Sequence, residues 1–165
     1  MFAVGDVVMY AGSGVYRIAD IRQENFSGEK QLYYVLNHTE NDSMTVYCPV
    51  DSTRLSMRKL LSKEEIFDII RLMPDTEEEW IENDQERNRR FTEILRSGDH
   101  MAMVKLIKTL YAKKEERLQE KRRLHASDER MMKDAEKLLH EEFAHVLRIS
   151  LEEVLPFILG EIEKL

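Results

Sequence analysis

The runs Phe2-Ala-Val-Gly-Asp-Val-Val-Met-Tyr10 and Gly28-Glu-Lys-Gln-Leu-Tyr-Tyr-Val-Leu36 decide the fold of the first third of the chain. Their β-branched and aromatic residues come in short bursts, as a pleated, half-buried surface prefers. Gly14-Val-Tyr-Arg-Ile-Ala-Asp-Ile21 and Met44-Thr-Val-Tyr-Cys48 repeat the pattern. Turn formers separate the runs: Gly5-Asp6, Gly12-Ser-Gly14, Ser27-Gly28 and Asn41-Asp-Ser43. Four or five such strands close most economically as a small twisted barrel of the SH3 or Tudor type. So small a sheet leaves edges, and an exposed edge accepts a strand from another protein. Gly12-x-Gly14 lacks the third glycine and the Lys-Ser/Thr ending of a phosphate loop, so it is read as a turn.

Beyond residue 60 the periodicity changes from two to 3.6. Ser62-Lys-Glu-Glu65 is a capping box that opens a helix with Ile66, Ile69, Ile70 and Met73 on one face, stopped by Pro74. A second helix is expected from Asp75 or Thr76 through Trp80, Phe91, Ile94 and Leu95 to Gly98. Asp99 caps a third, with Met101, Val104, Ile107, Leu110, Tyr111 and Leu118 as its apolar stripe. Residues 112–123 are almost wholly polar, the mark of a solvated helical extension or loop. Ser127 is expected to cap a fourth helix that turns Met131, Met132, Ala135, Leu138, Leu139, Phe143 and Val146 inward. Ser150-Leu-Glu-Glu153 repeats the capping-box pattern, and Pro156 should kink or restart the last helix. The fold class is therefore α+β: a small SH3/Tudor-like β-barrel over residues 1–58, then an all-α domain of four to five helices over 59–165.

The 165-residue chain has room for two such domains. No apolar run nears the roughly 20 residues needed to span a bilayer. With no basic-then-apolar leader, the expectation is a cytoplasmic protein. Cys48 stands alone, which excludes an intramolecular disulfide and suits a small buried hydrophobe in a strand. The net charge of −7 resides mostly after residue 60, where 19 Lys/Arg face 25 Asp/Glu. Any contact with nucleic acid must therefore come from a local basic patch.

No reactive constellation is assembled. His140 and His145 are five apart, which sets them about 140° round a helix and not on one metal-binding face. The acid pairs Glu64-Glu65 and Glu152-Glu153 sit at helix starts, where the dipole explains them. No serine lies in a nucleophile elbow. The expectation is no enzyme, no metal, no cofactor, no small-molecule substrate and no membrane contact.

Gly-Asp-x-Val-x-Tyr near the N-terminus, Gly28-Glu-Lys-Gln-x-x-Tyr34-Val-Leu, Val46-x-x-Pro49 and Ser97-Gly-Asp99 before an apolar-striped helix are ordered as in one family. Over nearly its whole length the chain resembles the CarD/CdnL family of bacterial transcription regulators. That resemblance implies a Tudor-like domain, shared with transcription-repair coupling factors, that docks on the RNA polymerase β subunit. It also implies a helical domain that contacts promoter DNA at the upstream edge of the bubble and stabilises the open complex. The family's main basic docking positions fall on Glu24 and Tyr47, beside Val46. The tryptophan used as a minor-groove wedge falls on Asp84, one helical turn from the single tryptophan, Trp80. Trp80 either presents that wedge from a helix that begins sooner or packs against the first helix. The basic residues around the slot correspond to Glu86, Arg87 and Arg89, followed by Arg90; another family basic position falls on Glu129, next to Arg130.

The leading reading is a regulator that binds polymerase through its barrel and approaches DNA through Trp80, Arg87, Arg89, Arg90 and Arg130, weakly when alone. The alternative is a polymerase-bound adaptor whose acidic helical domain recruits another protein.

Overall fold

The computed structural model describes residues 1–10, 12–41, 43–51 and 57–165, in two compact units, Met1–Leu60 and Leu61–Leu165. In the first, β1 (Val7–Tyr10), β2 (Gly14–Glu24), β3 (Gln31–His38), β4 (Thr45–Pro49) and β5 (Met57–Lys59) form one antiparallel sheet in the order β4-β3-β2-β1-β5. Five short antiparallel strands agree with the small Tudor-like sheet expected. Alternate residues line its core: Val8, Tyr16, Ile18, Tyr34, Leu36, Cys48 and Met57 are buried together. Cys48 is the small hydrophobe foreseen, and burial raises its thiol pKa, so it is a poor nucleophile. A bulge between Ile18 and Asp20 re-aims the second half of β2. Gly12 and Gly14, at φ 78° and 122°, make the β1–β2 turn that a side chain at either position would strain. In the Asn41–Ser43 turn, Asp42 lies outside the described residues, while Ser43 Oγ donates to Asn41 Oδ1 at 2.6 Å. β5, the fifth strand, has no run assigned to it in the sequence, because three residues carry no period to read.

The second unit holds α1 (Lys63–Leu72), a 3-10 turn (Met73–Asp75), α2 (Asp84–Ser97), α3 (His100–Gln119), α4 (Ala126–Leu147) and α5 (Leu151–Glu163). The capping box at α1 forms as read: Glu65 N–H donates to Ser62 Oγ and Ser62 N–H to Glu65 Oε1, both at 3.1 Å. Asp99 caps α3 through Ala102 N–H, and Gly98 ends α2 in the left-handed region. α3 and α4 run antiparallel. Lys114 reaches Glu129 where α3 ends and α4 begins, and His100 meets Glu142 at the other end. At that second end α1 and α5 close the core, with Ile66, Ile70, Val104, Leu139, Phe143, Val154 and Ile158 buried in one cluster.

Five expectations need correction. α2 begins at Asp84 and not at Asp75 or Thr76, with Asn83 as its cap: the Asn83 side chain accepts from Glu86 N–H at 3.0 Å. Ser127 lies inside the first turn of α4, whose cap position is His125. Ser150 does stand at the cap of α5, yet its hydroxyl donates to the Glu153 carboxylate and no side-chain cap bond forms. Tyr111 and Leu118, placed on the inner stripe of α3, are exposed, and Met103 and Leu106 are buried instead. Pro156 does not restart α5, which runs on through it.

Candidate functional site

On the outer face of β2–β4, Glu24 and Tyr47 are brought together by a residue the sequence did not single out, Arg22. Its Nε lies 2.9 Å from Glu24 Oε1, one terminal nitrogen donates to Tyr47 Oη at 2.9 Å, and the other lies 3.6 Å from Asp20. The Tyr47 hydrogen bond, with the Glu24 carboxylate beside it, raises the Arg22 pKa further. Phe26, exposed, stands edge-on to Tyr33 and Tyr47 at 5.2 and 5.0 Å. Two aromatics and one forked cation thus form a surface patch fixed by the strand alternation Asp20, Arg22, Glu24. That alternation was the signal available in the sequence.

β4 is the outermost strand on this side, paired among the described residues with β3 alone. His38 N–H donates to Met44 O and Val50 N–H to Leu32 O, so residues 44, 46, 48 and 50 point their backbone groups at β3. Those of Thr45 and Tyr47 point away. Val46 lies between them with its backbone directed at β3 and its half-buried side chain packed against the core.

Trp80 is not on a helix. The segment 76–83 has no regular secondary structure and lies against α3, held by Lys108 Nζ to Thr76 O at 2.6 Å, Glu79 N–H to Thr109 Oγ1 at 3.0 Å, and the Lys105–Glu79 pair at 2.9 Å. Lys105 also holds the Glu79 carboxyl below its usual range. These contacts place the indole among three cations, with Arg87, Lys113 and Arg117 at 4.3, 4.9 and 5.6 Å from its ring. Its Nε1 is buried with no hydrogen-bond partner among the described residues. Lys105, Thr109, Lys113 and Arg117 recur every four residues, one face of α3 that the polar run 112–123 concealed.

Arg87 is the deepest departure from expectation, because it is buried, not a surface cation. Its guanidinium pairs with Asp128 through Nε and Nη2 at 3.0 and 2.8 Å, with Asp84 at 2.7 Å, and donates to Ile81 O at 2.9 Å. Asp128, in the first turn of α4, is buried as well. All of this geometry is spent on joining α2, α4 and the Trp80 segment. Arg89, Arg90 and Arg130 are exposed. Arg89 borders a cleft with Asn88 and Ser127, whereas Arg90 borders another with Glu79 and Lys105, so α2 shows them on two flanks. Arg89 and Arg90 therefore do not lie in one cleft, and the Arg90 cleft is the one lined by Glu79 and Ile81 on either side of Trp80.

Among the described residues no group of His, Cys, Asp and Glu could hold a metal ion, and no helix is long and apolar enough to cross a membrane. Compared with known families, residues 2–61 match the model of the CarD-like/TRCF RID domain, and residues 65–158 match the CarD C-terminal domain.

Proposed function

The chain belongs to the CarD family of transcription-associated, RNA-polymerase-interacting regulators, and on that premise we propose that its sheet docks on the polymerase β subunit while its helical unit steadies promoter DNA. The observation that carries the docking half is the Arg22 patch beside an edge strand with outward amides at Thr45 and Tyr47. Strand addition uses the backbone for affinity and needs only a few anchoring side chains. Glu24 and Tyr47, though not basic, supply a cation indirectly by orienting Arg22 between them. In a binding titration with the β-subunit lobe, Arg22→Ala should weaken the complex of the full chain about tenfold, on the scale of one charge-assisted contact. An unchanged affinity removes the patch from the interface.

For the DNA half, the cations that can reach phosphate are Lys113 and Arg117 beside Trp80, together with Arg89, Arg90 and Arg130. Arg87 positions the indole from beneath. Trp80→Ala should shorten the lifetime of the open promoter complex. A lifetime unaffected by Trp80→Ala assigns the ring to packing alone.

The adaptor reading keeps one observation in its favour: the arginines are dispersed, while α5 carries four glutamates and exposed leucines. Promoter-complex affinity at two salt concentrations separates the readings, since several phosphate contacts impose a steep fall and an adaptor does not.

A further inference from the structure

α5 carries a second apolar face that no described element of the helical unit covers. Leu151, Leu155 and Leu159 are 38, 48 and 53 % exposed. At about 100° per residue they fall, with half-buried Ile162, within an arc of roughly 80°. The buried residues Val154 and Ile158 lie to one side of that arc. Beside it opens an apolar cavity of about 270 Å³ walled by Met73, Ile107, Leu139, Leu155, Ile158 and Ile162. A stripe of leucines next to a hole of side-chain size is the receiving half of a helix-in-groove contact. Scattered exposed leucines need no explanation, but an aligned set continuous with a cavity does.

Charge selects the occupant. α5 holds four glutamates and no cation, and Glu152 and Glu163 fall immediately beside the leucine arc. The cation nearest the cavity, Lys108, is occupied by the carbonyls of Met73, Pro74 and Thr76 at 3.1, 3.4 and 2.6 Å. His140, also in the cavity wall, has its pKa lowered by burial, so it is neutral near pH 7. An acidic rim repels DNA and anionic lipid alike. A second copy, meeting α5 with α5 about a two-fold axis, would set the same glutamates against one another. The geometry points to a basic amphipathic helix of another protein as the partner of α5, its apolar residues on the Leu151–Leu155–Leu159 stripe and one of them in the cavity, its Lys or Arg residues against Glu152 and Glu163.

The test uses the full chain and a labelled helical peptide of about 18 residues with leucines spaced i, i+3, i+4, i+7 and lysines on both flanks. A companion peptide carries glutamates in place of the lysines. Fluorescence anisotropy should show saturable binding of the first and none of the second. Leu155→Ser and Leu159→Ser, both at exposed positions, should each weaken binding about tenfold, as anchor residues do. The Glu152→Gln/Glu163→Gln double variant should flatten its salt dependence. Equal binding of both peptides, failure of the lysine peptide to bind, or indifference to the leucine variants each overturn the inference. So does a sedimentation shift showing a dimer that the same leucine variants dissociate, which would make the occupant a second copy. Binding to the β-subunit lobe is unchanged in all these variants if the two surfaces are independent, so the docking proposal stands or falls separately.

Discussion

At the scale of single residues, Arg87 decides more than its neighbours. Its side chain and that of Asp128 are each 2 % exposed, so removing one leaves the other charge buried without its partner. Arg87→Met should cost about 3–5 kcal/mol of stability in urea unfolding, and Arg87→Met with Asp128→Leu should recover much of it. A loss below about 1 kcal/mol would mean that the pair is not holding α2 to α4. His140 offers a pH handle. Burial depresses its folded pKa below the ordinary 6.5, so the unfolded chain takes up the proton first. Its contribution to stability is thus complete above about pH 6.5 and is lost as pH falls through the depressed folded value. Between pH 7.5 and 5.5 the melting temperature should fall, and His140→Leu should flatten that slope; a slope that persists in the variant assigns it to other groups.

At the scale of elements, the outward amides of β4 make a pointed prediction. Thr45→Pro deletes one such donor and keeps the backbone β3–β4 ladder, because the backbone of residue 45 faces away from β3; it also removes the Thr45 Oγ1 bond to Asn37 Oδ1 at 3.1 Å, a loss that Thr45→Val shares and thereby controls for. Affinity for the β-subunit lobe should drop by the value of at least one backbone hydrogen bond, about 0.5–1.5 kcal/mol, with the circular dichroism unchanged. Intact binding would exclude strand addition at β4. Elements with strong local signals were legible in the sequence: the strand alternation in 14–21, the Ser62 capping box, the Gly98-Asp99 punctuation. What misled was tertiary context. The acidic run 77–79 reads as the first turns of a helix, but it is not helical, and Lys105, Lys108 and Thr109 of α3 hold its segment, a choice no local propensity records. Asn83 with Glu86 three residues on was the cap signal that marked the true start. Arg87 looked like a surface cation for the same reason, since Asp128 lies 41 residues away in sequence and only the fold brings it near. The outer-face patch was half legible: Glu24 and Tyr47 came from motif order, Arg22 only from the pairing of β2 with β3 and β4.

At the scale of the molecule, the antiparallel α3–α4 pair sorts charge along its length. Residues 113–123, where α3 ends, hold six Lys/Arg against three Glu. The opposite end carries α1 and α5, whose residues count seven carboxylates against Lys63 and Arg71. α3 alone, at 20 residues, separates those ends by about 30 Å. The helical unit is accordingly an electric dipole. In the field of a nucleic acid it feels a torque before any contact is made, turning the Lys113 end forward and the α5 end back, and added salt would abolish that orientation over distances beyond the Debye length, about 8 Å at physiological strength.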